Sequence, residues 1–207
     1  MNKKLTASAI VAGILASVIY VEGGYTNNPD DPGGKTKYGI TERVARAYGY
    51  TGQMENLSLE QANAIYETLY VKDPGFDKLV LISPAVAHKL IDAGVNVGTA
   101  RVSFWFQEAL NTYSRGGMDY PQIRPDGIIG ARTIETYKLL QKKRGEVTAC
   151  TLMLKALDGY QLEYYFSLKS YYKFVVGWVD KRIQNIPLDQ CIEYNLTIPT
   201  SKTDENK

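Results

Sequence analysis

The chain has 207 residues, which is enough for one well-packed domain or for one domain with a small lobe. Its net charge is +2, and its Lys and Arg residues are spread along the chain without a block, which argues against nucleic acid as a partner. One histidine and two cysteines, Cys150 and Cys191, fit no zinc pattern, so we expect no metal and no cofactor.

Two features of the composition leave alternatives open. The two cysteines form either one disulfide or two buried thiols, depending on the redox compartment. The sixteen tyrosines are unusually numerous. Tyr combines an apolar ring with a polar tip, so it serves both in half-buried core positions and in contacts with sugars or partners.

Residues 5–21 contain no charged side chain and follow Lys3 and Lys4, which is the layout of a signal segment. A cleaved signal peptide, a buried first helix and a retained membrane segment would each account for it. No small-x-small cleavage site is well marked before Glu22, and we favour a single-pass inner-membrane helix with its N-terminus in the cytoplasm. Because eight of its seventeen residues are Gly, Ala, Ser or Thr, we expect that this helix can leave the bilayer again.

Residues 23–36 are almost all turn-forming, and residues 37–42 alternate weakly, as in a short strand. Helices are predicted for the rest of the chain. Ser58 and Gln61 have the spacing of a capping box, and Ser83 followed by Pro84 is a good helix entry. Residues 101–113 and the long run 146–186 have helical apolar spacing.

Two polar motifs have alternative interpretations. "DGIIGART" predicts either a turn that starts a helix at Ala131, with Ile128 and Ile129 packed inward, or a direct contact with sugar. Asn96 lies between two valines of an otherwise apolar segment. It is either a buried, hydrogen-bonded side chain or a cleft residue that faces sugar.

Glu22 is the first charged residue after the apolar segment, and Gly23 and Gly24 follow it. At the C-terminal end of an apolar helix, burial and the helix dipole both raise the pKa of a carboxyl group. Hydrolysis of a glycosidic bond requires such a protonated carboxylic acid. On these grounds alone Glu22 is either a general acid or an ordinary solvated helix end.

The stretch "EGGYTNNPDDPGGKTKYGIT" at 22–41 resembles the signature of phage endolysins in glycoside hydrolase family 108. Residues 92–111 and 124–137 resemble the second, peptidoglycan-binding region of such enzymes. The resemblance implies a mainly α, lysozyme-like α+β fold with a small β element after the catalytic Glu. It also implies cleavage of the β-1,4 bond between N-acetylmuramic acid and N-acetylglucosamine, with Glu22 as the general acid.

Related phage lysozymes add an Asp nine positions after the Glu and a Thr six positions later. Asp31 has the first spacing and the pair Asp30 and Thr36 has the second, so all three are candidates for positioning the water, and we favour Asp30 with Thr36. The predicted sugar-binding residues are Tyr25, Tyr38 and Asn96.

We expect four parts: an anchor-like helix at 1–21 that also serves as the first helix of the fold, a catalytic lobe at 22–98, a peptidoglycan-binding lobe at 99–185, and a tail at 186–207. The expected partners are peptidoglycan and, through residues 5–21, the host inner membrane before release to the periplasm. We expect a monomer that does not bind nucleic acid, and the alternative function is a non-catalytic wall-binding or virion-associated protein.

Overall fold

A computed structural model describes residues 6–19, 24–27 and 34–194. Within these ranges the protein is mainly helical, with one hairpin of strands β1 (Thr36–Lys37) and β2 (Ile40–Thr41). The predicted fold class is confirmed. The α-helices are α1 (Ala7–Ile19), α2 (Glu42–Ala47), α3 (Leu59–Glu67), α4 (Pro84–Val97), α5 (Thr99–Tyr113), α6 (Ala131–Arg144), α7 (Glu146–Ser167) and α8 (Tyr172–Arg182).

Helix α1 is part of the protein core. Its buried side chains follow helical spacing, and α1 packs against α3 and α4. They are Ile10, Val11, Ile14, Leu15 and Val18. The apolar stripe that suggested a bilayer is therefore covered by protein.

The prediction of a single-pass inner-membrane anchor with later periplasmic release is wrong. In the part of the chain that the structure describes, no helix combines the length and apolar character needed to cross a membrane. Helix α1 has 13 residues. At about 1.5 Å per residue it is roughly 20 Å long, against a hydrocarbon core of about 30 Å.

Local helix signals in the sequence are confirmed. The Ser58 side chain accepts a hydrogen bond from the Gln61 N–H, and the Gln61 side chain accepts one from the Ser58 N–H, which completes the capping box before α3. Helix α4 begins at Pro84. The long run after residue 146 is helical but interrupted, because Leu168 leaves the helical conformation and a short 3-10 turn at Lys169–Tyr171 leads into α8.

A buried polar network joins α4 to the C-terminal half of the chain. The Lys89 ammonium is 1% exposed, and it lies 2.5 Å from the Asp158 carboxylate on α7. It also donates to the Arg182 carbonyl at 2.7 Å and to Asn185 Oδ1 at 3.2 Å. Asp92, one turn further along α4, accepts from Arg182 and Asn185. These charges are paired and hydrogen-bonded, as buried charges must be.

Residues 188–194 are tied to the helical body by a covalent bond and by a histidine. Cys150 of α7 and Cys191 form a disulfide with a Cα–Cα distance of 5.7 Å, which resolves the alternative left open by the sequence. Tyr194 Oη lies 3.1 Å from His88 Nδ1, and Ser17 Oγ of α1 lies 3.4 Å from His88 Nε2. The C-terminal segment therefore contacts α1 through one side chain of α4.

The "DGIIGART" motif forms the predicted turn before α6. The buried Gln107 side chain donates to Asp126 Oδ1 and accepts from the backbone N–H groups of Asp126 and Gly127. Ile129 is fully buried, as predicted. Ile128 is 57% exposed, so its predicted inward packing is wrong. The turn places the two neighbouring side chains on opposite sides of the backbone.

Candidate active site

The hairpin that follows the candidate catalytic segment has a tight two-residue turn. Thr36 pairs with Thr41 and Lys37 with Ile40, and Tyr38 and Gly39 both have positive φ, at 52° and 72°. Two successive positive φ values are typical of the turns that match the twist of a hairpin. The hydroxyl of buried Tyr66 on α3 donates to the Tyr38 carbonyl at 3.1 Å, and this bond holds the strained turn against the helical body.

A third segment extends the hairpin and brings two candidate residues close together. Thr26 and Thr36 exchange both backbone hydrogen bonds, at 2.8 and 2.9 Å, in an antiparallel bridge. In this antiparallel register Tyr25 lies opposite Lys37, one position from Thr36. The Thr36 hydroxyl donates to the Gly34 carbonyl at 3.2 Å.

The Tyr25 ring packs against the core, and its hydroxyl lies near the carboxylates of Glu55 and Glu42. The hydroxyl is shielded from solvent and has no hydrogen-bond partner of standard geometry among the described residues. The approach of the Glu55 carboxylate, followed by burial and the negative charge of Glu42, raises the pKa of the Tyr25 phenol above its ordinary value. Tyr25 therefore stays a neutral donor over the whole physiological range.

Glu55 belongs to this site although no sequence signal pointed to it. It lies in a short 3-10 helix at Met54–Asn56, and its carbonyl accepts a hydrogen bond from the Lys37 ammonium of β1 at 2.5 Å. The same ammonium lies 5.3 Å from the centre of the Tyr38 ring. The contact between residues 37 and 55 depends on the folded chain, and the local pattern around "MEN" gives no hint of it.

Asn96 occupies a different part of the molecule. It is exposed near the C-terminal end of α4, and its Oδ1 accepts a hydrogen bond from the Tyr165 hydroxyl of α7 at 2.5 Å. No hydrogen bond joins it to Tyr25, Thr36 or Tyr38 in the described ranges. The structure thus gives Asn96 a hydrogen-bonded role between α4 and α7 and leaves the rest of its side chain in solvent.

Glu22, Asp30 and Asp31 lie outside the described residues, so their predicted roles remain predictions. Residues 6–19, 24–27 and 34–194 contain no group of three His, Cys, Asp or Glu side chains that could hold a metal ion. The structure does describe the elements that flank Glu22 in the sequence. Helix α1 ends at Ile19, and the three-segment sheet begins at Thr26.

A first helix packed in the core, followed by a small sheet and then by a large helical body, defines a mainly α, lysozyme-like protein. The solved structure of Brucella abortus SagA has this fold, with a TM-score of 0.66 at 24% sequence identity. The similarity covers 90% of this chain and 96% of SagA. No curated protein shows significant similarity to the chain.

Two family comparisons identify the parts of the chain. Residues 15–98 match Glycosyl hydrolase 108, and residues 101–183 match the Predicted Peptidoglycan domain. The chain therefore combines a region similar to Glycosyl hydrolase 108 with a following region similar to the Predicted Peptidoglycan domain. Together the two domains indicate a glycosyl hydrolase that degrades or binds peptidoglycan, with peptidoglycan as its partner.

Proposed function

We propose that the protein is an N-acetylmuramidase that hydrolyses the β-1,4 bond between N-acetylmuramic acid and N-acetylglucosamine, and that it acts as a phage endolysin in host cell lysis. One observation carries the proposal. The match to Glycosyl hydrolase 108 covers residues 15–98, and this range contains Glu22 within its complete "EGGY" stretch. A protein that only binds the wall would not need this carboxylic acid.

In the proposed mechanism Glu22 protonates the leaving oxygen. It is three residues from the end of α1 and four from Thr26, so covalent geometry keeps its Cα within ~11 Å of Ile19 and ~14 Å of Thr26. The core contacts of α1 and the hydrogen bonds of the Thr26–Thr36 bridge support the segment on both sides. Flanking support of this kind suits a general acid, because proton transfer requires close and fixed geometry.

Asp30, with Thr36, is proposed to position the water that completes hydrolysis. Asp30 and the alternative candidate Asp31 lie in sequence between Thr26 and Thr36, which pair in the antiparallel bridge. The Thr36 hydroxyl donates to the Gly34 carbonyl, and Thr36 is partly exposed. Asp30→Asn should then lose most activity and Asp31→Asn little; full activity in both variants would remove the second carboxylate from the mechanism.

The remaining roles are divided between two lobes. We propose a catalytic lobe at 22–98, in which Tyr25 and Tyr38 contact sugar beside Glu22, and a wall-binding lobe at 99–185 with a tail at 186–207. Asn96 would then contact sugar where the two lobes meet, since its hydrogen bond to Tyr165 crosses from α4 to α7. We propose that the protein works as a monomer.

The experiment compares wild type with Glu22→Gln on purified bacterial cell walls. The amide keeps the shape of the side chain and loses the proton, so turbidity clearing should slow by about 10²–10⁴-fold. Glu60→Gln is the matched control, because Glu60 is an exposed glutamate in the first turn of α3. Circular dichroism and thermal unfolding should show the same fold in all three proteins.

Mass analysis of the released fragments tests the bond and the reaction. Hydrolysis between the two amino sugars leaves N-acetylmuramic acid at the new reducing end. Fragments lighter by one water at that end would contradict hydrolysis, and fragments cut in the peptide stem would contradict a muramidase. If the wild type binds walls and releases no fragments, the protein is a wall-binding relative.

A further inference from the structure

The second lobe contains an open groove between α5 and α7 that the candidate active site does not use. Its volume is about 280 Å³. Small residues form its floor: Ala109 on α5 and Ala156 and Gly159 on α7. Because these side chains are short, the two helices leave a channel at their surface where larger side chains would meet.

Aromatic rings line and extend this groove. Tyr113 and Tyr160 form its walls, and the Trp105 ring stacks on Tyr160 with centroids 6.0 Å apart and planes 11° apart. Tyr164, one turn after Tyr160, lies 6.0 Å from Trp105. The Arg101 guanidinium covers the Tyr164 ring at 4.2 Å. All five side chains lie at the surface of the lobe, either partly or largely exposed.

Polar groups accompany the rings along the groove. Glu163 and Thr112 stand at its edge, and Glu108 lies one turn before Thr112 on the same face of α5. The Tyr160 hydroxyl interacts with the Thr112 side chain, and the Tyr113 hydroxyl donates to the Leu152 carbonyl at 2.8 Å. These bonds and the ring contacts fix the rings in place, and the rings remain partly exposed along the groove.

We propose that this groove binds the glycan strand of peptidoglycan, which rests on the proposed function in taking peptidoglycan as the partner. A pyranose ring presents apolar C–H faces that stack on aromatic rings and hydroxyl and amide groups that need polar partners. The groove offers both in one channel. The matched range 101–183 of the peptidoglycan domain includes each of its lining residues.

A second aromatic surface on α8 is the competing location. The Phe174 ring stacks on Trp178, and the Tyr171 ring lies tilted against it at 6.1 Å. Tyr171 and Phe174 are largely exposed, and Trp178 is partly buried. Helix α8 contributes no buried residue to the core, whereas α5 and α7 each contribute several. It therefore serves as the matched comparison for the groove.

Two glycines allow a test that does not disturb the core. A Cβ added at Gly159 or at Gly177 meets no atom within 4 Å, and both residues occupy exposed positions inside helices. Gly159→Gln would extend a polar chain over the groove, whereas Gly177→Gln would do the same beside Trp178. Since Gln is a better helix former than Gly, both variants should fold at least as stably as the parent.

The assay measures sedimentation of the full chain with purified sacculi, with Glu22→Gln in the background of every protein to prevent digestion. Gly159→Gln should weaken binding at least tenfold, and Gly177→Gln should leave it unchanged. Trp105→Leu, which keeps an apolar side chain, should weaken binding by about fivefold, in line with the loss of one aromatic stack. Glycan strands freed of stem peptides should compete with sacculi, and isolated stem peptides should not.

Unchanged binding in Gly159→Gln would overturn the proposal, as would loss of binding confined to Gly177→Gln or competition by stem peptides alone. Catalysis is measured separately, on short soluble glycan fragments with Glu22 restored. If the protein binds through the groove and hydrolyses no glycan, the proposed muramidase activity is wrong and the proposed glycan-binding groove is supported. If it hydrolyses glycan and binds walls independently of the groove, the muramidase activity is supported and the proposed groove is wrong.

Discussion

Breaking the Cys150–Cys191 disulfide is expected to lower the free energy of unfolding without changing the folded structure. The bond closes a loop with a sequence separation of 41 residues. The chain-entropy relation for a loop of this size gives about 4 kcal/mol at 25 °C, because the cross-link restricts the unfolded chain. For a protein of about 200 residues this corresponds to a fall in melting temperature of roughly 8–15 °C.

The assay is urea unfolding followed by far-ultraviolet circular dichroism, with and without reductant. A Cys150→Ala, Cys191→Ser variant is the matched control, and it should unfold like the reduced protein under both conditions. Cys150 is buried, so Ala avoids placing a hydroxyl in the core. A difference of less than about 1 kcal/mol between oxidised and reduced protein would refute the reasoning that the unfolded chain is constrained by this loop.

Three further measurements follow from buried polar contacts. Burial lowers the pKa of His88 from 6.5 to about 4, so the folded protein favours the neutral imidazole. The free energy of unfolding should therefore fall as the pH drops below 6.5, by roughly 2 kcal/mol between pH 7 and pH 5. In thermal melts, His88→Gln should remove this pH dependence. Tyr66→Phe removes the hydrogen bond to the Tyr38 carbonyl, so it should lower the free energy of unfolding in urea by about 1 kcal/mol and slow the clearing of cell walls. Unchanged clearing would show that the hairpin turn does not contribute to catalysis. Lys89→Met leaves buried acceptors without their cation and should cost about 3–5 kcal/mol, and a loss below 1 kcal/mol would mean that water replaces the ammonium.

Local sequence signals predicted the features that depend on neighbouring residues. The capping box of Ser58 and Gln61, the entry of α4 at Pro84 and the start of α6 at Ala131 each involve residues within one turn of one another. Residues 37–42, predicted as one short strand, contain the end of β1, a tight turn at Tyr38 and Gly39, and β2, so strand structure is present but the turn within it was missed. Such features need no knowledge of the rest of the chain.

The apolar segment before Glu22 shows where sequence reasoning fails. Eighteen or more apolar residues would have indicated a membrane span, but a shorter, weakly hydrophobic run has the same composition whether lipid or protein covers it. Only the folded chain shows that α1 packs against α3 and α4 and that Ile14 and Val18 are buried. The predicted anchor fails because no helix among the described residues is long and apolar enough to cross a membrane.

The other surprises also come from partners that are distant in sequence. Asn96 bonds to Tyr165, 69 positions away, and His88 bonds to Tyr194, 106 positions away. Nothing in the residues around Cys150 indicates that Cys191 will lie against it. The order of residues determines which local turns and helices are favourable. Which side chains then meet is decided by how the helices bury their apolar faces together, because that burial is a property of the whole chain.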